Sequence, residues 1–246
     1  MTSQMQDAES SLVSHLEALR RALIRSFVAL AIGIVPLFLA SPYVLDWFCE
    51  QITLQSGITL HYFSPMEVFL LQLKIAALLD VVLFSPYIAW NMWQFVLPAL
   101  YEKEKRFIRS IVGLTSMLFI AGVAFCLIVC FPLIVQFGMS FAGETLTPVF
   151  GVSNLISLAL WLSLAFGCMF QFPLVTYALI RGGIVSYETI CDKRPYVVIG
   201  ILVIAALLTP PDILSQIILG APTYLLFEAG LLAARRFKKK SPDQNA

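Results

Sequence analysis

The stretch WQFVLPALYEKEKR, residues 93–106, constrains the fold of this chain more than any other. A long apolar run ends at Pro98, which removes a backbone donor and stops a helix. Glu102, Lys103, Glu104, Lys105 and Arg106 follow in a row, and a second apolar run begins near Ile108. Trp90, Trp93, Phe95 and Tyr101 gather at the boundary. Charge placed abruptly between two apolar runs, with aromatic residues at its edge, marks a short turn between two membrane helices. Composition agrees, with 59% of the 246 residues hydrophobic, 13% charged and a mean hydropathy of +0.87. Soluble domains carry about 25% charged residues, and a soluble core of this size could not hide so much apolar surface. The expected fold class is all-α, a polytopic helical membrane protein.

Residues 1–14 are polar and lack the basic segment and apolar core of a signal peptide. Residues 15–25, HLEALRRALIR, place Leu16, Leu19, Leu23 and Phe27 at i, i+3, i+7 and i+11, an amphipathic helix at the membrane surface. A first span is expected over 26–45 with Pro36 inside it, since twenty residues rise about 30 Å. Residues 46–65 read as the longest non-helical connection, with Trp47, Tyr62 and Phe63 at the interface. The second span, 67–97, carries Lys74 and Asp80. Ionisable groups in hydrocarbon are costly, so each is either functional or part of a mutual pair facing the bundle interior, with Lys74 snorkelling outwards.

The third span covers 111–135 and ends near Pro132; residues 136–153 read as a loop. The fourth covers 155–180, where Pro173, just after Gln171, should loosen the helix. Residues 181–195 form a polar loop. The fifth apolar run, 196–208, reaches only about 20 Å. The turn TPPD, 209–212, ends it, and a sixth run over 213–234 is interrupted by Gln216, Pro222 and Glu228. The chain thus divides into an amphipathic N-terminal helix (1–25), a transmembrane domain (26–234) and a basic tail (235–246), whose last six residues are expected to be disordered.

Fifteen of the sixteen Lys and Arg residues fall before the first span, after the second, after the fourth or in the tail. Lys74 alone lies towards the other side. The positive-inside rule places both termini in the cytoplasm, which requires an even number of crossings. Six spans, or four plus a re-entrant hairpin, satisfy it. The five cysteines show no CxxC spacing, and Cys126 and Cys130, one turn apart in an apolar run, read as small packing residues. No metal or cofactor site, disulfide framework, nucleotide loop or hydrolase motif is present in the sequence pattern.

The sequence resembles the TatC family, receptor subunits of the twin-arginine protein translocase. The likeness spans nearly the whole chain and rests on HLEALRRALIR (15–25), SPMEVFLLQLKIA (64–76), WQFVLPALYEKEKR (93–106), FGCMFQFP (166–173), KRPYVVIG (193–200) and LLTPPDILSQ (207–216). The resemblance implies six spans, the last two short, in a concave glove-like bundle in the bacterial cytoplasmic (inner) membrane. It also implies a receptor, not an enzyme, that binds twin-arginine signals of folded precursors. Such a receptor assembles with single-span partners of the TatA and TatB type for export driven by the proton-motive force.

The family's signal site maps onto Arg20, Phe95 and Glu104, with an acid in the N-terminal helix. Where the family pattern His-Leu-x-Glu-Leu-Arg has that acid, this chain has Ala18, and its acid is Glu17, one residue earlier. Gln171 stands where many members have Glu. Gln216, with Gln171, Asp212 and Glu228, forms the candidate set for partner binding and intramembrane polarity. Carboxylates suit a twin-arginine signal because a guanidinium pairs with them bidentately. A reading from another class is a secondary transporter for a small solute, with Asp80, Lys74, Gln171 and Glu228 lining a path, although no internal repeat or paired broken helices support it.

Overall fold

The computed structural model describes residues 2–56, 60–96, 105–140, 149–181, 185–208 and 213–238. It is helical almost throughout: α1 (Thr2–Ser56), α2 (Pro65–Val96), α3 (Lys105–Phe125), α4 (Phe131–Ser140), α5 (Val152–Met169), α6 (Phe172–Arg181), α7 (Tyr187–Asp192), α8 (Arg194–Leu208) and α9 (Ile213–Lys238). Among the described residues, five helical stretches are long and apolar enough to cross a membrane: Leu16–Leu54, Pro65–Gln94, Ser110–Ser140, Val152–Ile180 and Gln216–Arg235. A sixth apolar helix, Arg194–Leu207, is shorter. The polytopic all-α expectation therefore holds.

Helix α1 overturns one expectation. Residues 46–56, read as part of a non-helical connection, continue the helix. Leu45, Phe48 and Ile52 extend its buried stripe at i, i+3 and i+7, and they pack with Leu71, Ile75, Phe131 and Ile156. This packing outweighs Asp46, Glu50 and the other polar residues on the opposite face. Beyond the helix, Leu60 and His61 pair in parallel with Phe150 and Gly151, so the connections before α2 and α5 are clasped together.

The third span is longer than expected and runs on to Ser140. Its local geometry explains why Pro132 does not end it. Cys126–Cys130 form a single π turn, with the Phe131 N–H donating to the Cys126 carbonyl. Proline cannot donate and its ring crowds the carbonyl four residues back. A widened turn just before it relieves the crowding and lets the helix resume. Cys126 and Cys130 are buried against Leu162, Phe166, Ala205 and Leu219, as small packing residues would be.

The fourth span breaks where the sequence indicated. Gln171 N–H bonds to the Cys168 carbonyl at 3.0 Å, and α6 starts afresh at Phe172. After the break the partner changes: α5 packs on α3, whereas α6 packs chiefly on α9. Gly230 makes the second contact tight, since a Cβ there would lie 2.6 Å from Pro173 Cα. Close backbone approach of this kind replaces the hydrophobic drive that lipid removes between membrane helices. Helix α9 is continuous through Gln216, Pro222 and Glu228, the residues that interrupt its apolar run in sequence. The 181–195 connection contains α7, capped where Ser186 Oγ accepts from the Thr189 N–H at 3.1 Å.

Lys74 and Asp80 do not form a mutual pair. Six residues along a helix turn through about 600°, which leaves them on different faces. Lys74 snorkels to Ser157, with Nζ donating to Oγ at 2.9 Å. Asp80 is 2% exposed in the α1–α2 seam, where a Cβ on Gly33 would overlap its carboxylate and the Phe84 ring.

Candidate functional site

Ala18, Arg21, Ala22 and Arg25 share one face of α1, spaced i, i+3, i+4 and i+7. That face meets the last described turns of α2. With Asn91 and Gln94 it lines an open cleft of about 190 Å³. Its floor is fixed by Asn91, only 4% exposed, whose Nδ2 donates to Ser26 Oγ at 3.4 Å and to the Tyr87 carbonyl at 3.1 Å.

Charge in the cleft is one-sided. Ala18 lines it, whereas Glu17 does not, because one residue of helix turns a side chain by about 100°. Glu17 instead faces Arg21 along the exposed surface, with Nη2 to Oε2 at 3.8 Å and both side chains about two-thirds exposed (66% and 65%). Arg21 Nε also donates to the Glu17 carbonyl at 3.3 Å. Arg20 is exposed and outside the lining. Two guanidiniums therefore border the cleft, and no carboxylate among the described residues does. The Phe95 backbone continues α2 just beyond Gln94, while its side chain, and Glu104 and Asp212 entirely, lie outside the described residues.

A hydrogen-bond chain runs from this end of α2 to the broken fourth span. Trp93 Nε1 donates to Thr115 Oγ1 at 2.7 Å, and Thr115 Oγ1 donates to the Ile111 carbonyl at 2.8 Å. The Thr115 carbonyl accepts from Gln171 Nε2 at 3.0 Å. Gln171 thus binds the α3 backbone with its amide, and its Oε1 is buried with no partner among the described residues. Ile111 and Leu174 pack around this point with Trp93 and Tyr177.

Glu228 accepts from Arg194 Nη2 at 3.0 Å and from Tyr224 Oη at 3.0 Å, joining the start of α8 to α9. Gln216 Nε2 donates to the Leu202 carbonyl at 2.9 Å, which also ties α9 to α8. Sequence reasoning passed over Thr115, Ser157 and Arg194 as partners. Thr115 and Ser157 carry no local signal, since a lone hydroxyl in an apolar helix declares nothing until its neighbour is known. Arg194 did carry one: a cation directly before Pro195 at a helix start, opposite a span that contains Glu228. Lys74, Asp80, Gln171 and Glu228 do not line one path: three bond to Ser157, Thr115 and Arg194 respectively, and Asp80 sits in the α1–α2 seam.

Residues 14–222 match the family described as TatC, Sec-independent protein translocase protein. A TatC from Carboxydothermus hydrogenoformans is 34% identical over 237 residues, covering 96% of this chain and 97% of the relative. The TatC of Escherichia coli K12 is 32% identical over 235 residues, covering 93% and 90%. Among solved structures, a crystal structure of the twin-arginine translocase receptor TatC in DDM superposes with a TM-score of 0.82 at 31% identity, covering 89% of this chain and 99% of that one. The likeness extends over the α1–α2 cleft, the α5–α6 break and most of α9, and the chain belongs to the TatC family of Sec-independent protein translocase proteins.

Proposed function

We propose that this protein is the receptor subunit of a twin-arginine translocase, binding the twin-arginine signal of folded precursors at the α1–α2 cleft and the turn that follows it. The family match across the cleft-forming residues carries this reading. Glu104 supplies the principal carboxylate, Phe95 an apolar wall, and Arg20 and Glu17 flank the entrance. The protein acts by binding, without chemistry of its own, in the bacterial cytoplasmic (inner) membrane, and assembles with single-span proteins of the TatA and TatB type. Gln216, Gln171 and Glu228 serve that assembly or hold the bundle that receives it.

Co-purification tests the assignment. A precursor bearing two arginines should be retained together with small single-span proteins, and changing both arginines to lysine should abolish retention, because lysine lacks the bidentate fork. Equal retention of both precursors would refute it. The reading also takes α8 and α9 as full crossings, six in all, with both termini cytoplasmic. Asp212→Cys, in a background without the native cysteines, should then react with an impermeant thiol reagent added from outside. Labelling from the cytoplasmic side alone would leave a re-entrant hairpin.

A further inference from the structure

Lys74 stands apart from every other cation in the chain. On the topology proposed above it is the one Lys or Arg towards the non-cytoplasmic side, and no carboxylate among the described residues pairs with it. Among the described residues it donates to the neutral hydroxyl of Ser157, at 2.9 Å. Glu67, two turns earlier on the same helix, is occupied by accepting from the Phe63 N–H at 2.9 Å. Asp80 faces the α1–α2 seam. The ammonium group is exposed at the outer surface of the bundle, where an anion from outside the chain can reach it.

The surroundings say what form that anion takes. Lys74 and Ser157 sit on a cleft of about 430 Å³, otherwise lined by Ala77, Leu78, Val81, Leu160, Trp161 and Leu164. A second cleft of about 370 Å³ shares Trp161 and Leu164 and continues along α5 past Cys168. From Ser157 to Cys168 the groove follows eleven residues, about 16 Å of helix. One leaflet of hydrocarbon is about 15 Å deep. Ser157 lies five residues into α5, about 7 Å from its start, so the polar end of the groove is the shallow end.

We propose that this groove holds one anionic phospholipid, its phosphate on the Lys74 ammonium and the Ser157 hydroxyl and an acyl chain along α5, first beside α2 and then towards Ile204 of α8. A phosphate placed there accepts charge-assisted hydrogen bonds in a setting where salt screens little. Net negative headgroup charge is required because a zwitterionic lipid brings its own cation to a site that already has one. Trp161, about half exposed at the rim (52%), covers the chain below the headgroup.

Native mass spectrometry of the purified full-length protein, incubated with phosphatidylglycerol or with phosphatidylcholine of the same acyl chains, tests this. One phosphatidylglycerol should be retained in preference, and Lys74→Gln should lower its retention about tenfold, the loss of one charged hydrogen bond. Lys74→Arg should restore it. Leu164→Trp, which fills the furrow and keeps the cation, should lower it independently. Affinity for a twin-arginine peptide should be unchanged in all three variants, which separates this site from the receptor reading and reports that the fold is intact. Equal retention of both lipids, or retention indifferent to Lys74→Gln and Leu164→Trp, would overturn the proposal. So would crosslinking of Trp161→Cys to a single-span partner helix in native membranes, which would make that helix the occupant.

Discussion

Two arginine sites in this protein look alike in sequence and differ in what surrounds them. At the α1–α2 cleft, Arg21 and Arg25 border open space, and among the described residues the acid in contact is Glu17, on the solvent side at 3.8 Å from Arg21. At the α8–α9 junction, Arg194 is held at 3.0 Å by a carboxylate that also accepts from Tyr224. The second site has closed its charges on one another and acts as a fastener. The first has only a loose, solvent-exposed pair between Arg21 and Glu17 and leaves the cleft itself open beside two amides.

The largest effect that would sharpen this contrast is at Glu104. Its neighbours Lys103, Lys105 and Arg106, with Arg21 and Arg25, repel a twin-arginine peptide, so a carboxylate near the cleft must supply the attraction. A hydrogen bond to a charged group is worth about 1.5–3 kcal/mol, so Glu104→Gln should weaken peptide binding by about tenfold to a hundredfold in detergent at fixed salt. An unchanged affinity would break the contrast from the cleft side.

At the fastener, Glu228→Gln should leave peptide affinity intact and lower stability. Partial exposure of both side chains, 42% and 24%, screens the pair and brings the expected cost to about 1–2 kcal/mol. Denaturation of Glu228→Gln, Arg194→Gln and the double variant would measure the coupling. A coupling near zero would make the Arg194–Glu228 pair no stronger than the exposed Arg21–Glu17 pair.

The smallest effects concern α1. Glu17→Ala removes an exposed i, i+4 pair worth about 0.3–0.5 kcal/mol and should change peptide binding less than twofold. Ala18→Glu places a carboxylate among Arg21, Arg25, Asn91 and Gln94 and should leave binding unchanged or strengthen it. If Glu17→Ala abolished binding while Glu104→Gln did not, the main acid would be on α1.

The fold was legible wherever one residue dictates local geometry. Pro173 marked the break after Met169, apolar runs marked the helices, and the short fifth run stayed short as α8. It was illegible where packing overrides composition. Residues 46–56 look like a connection until Phe48 and Ile52 are seen against Leu71 and Phe131. Pro132 looks like a stop until the π turn before it absorbs the defect. In the candidate site, Ala18 and Glu17 could be placed by helix angle alone, and the structure puts Ala18 on the cleft lining and Glu17 off it. The partners of Gln171, Lys74 and Glu228 lie 56, 83 and 34 residues away, a separation no local pattern encodes.

The brevity of α8 reaches beyond the protein into the membrane. Its fifteen residues span about 22 Å where hydrocarbon is about 30 Å thick. With α8 as one of the six proposed crossings, lipid beside it dips to meet its ends, an elastic distortion costing a fraction of a kcal/mol per Å of mismatch, or a few kcal/mol in all. That energy is released when the dimple is shared. A neighbouring helix that is itself short fits the depression and is drawn to it, while a long one is turned away. The α8 edge therefore sorts its neighbours by length, through the curvature of the bilayer, before any side chain touches another.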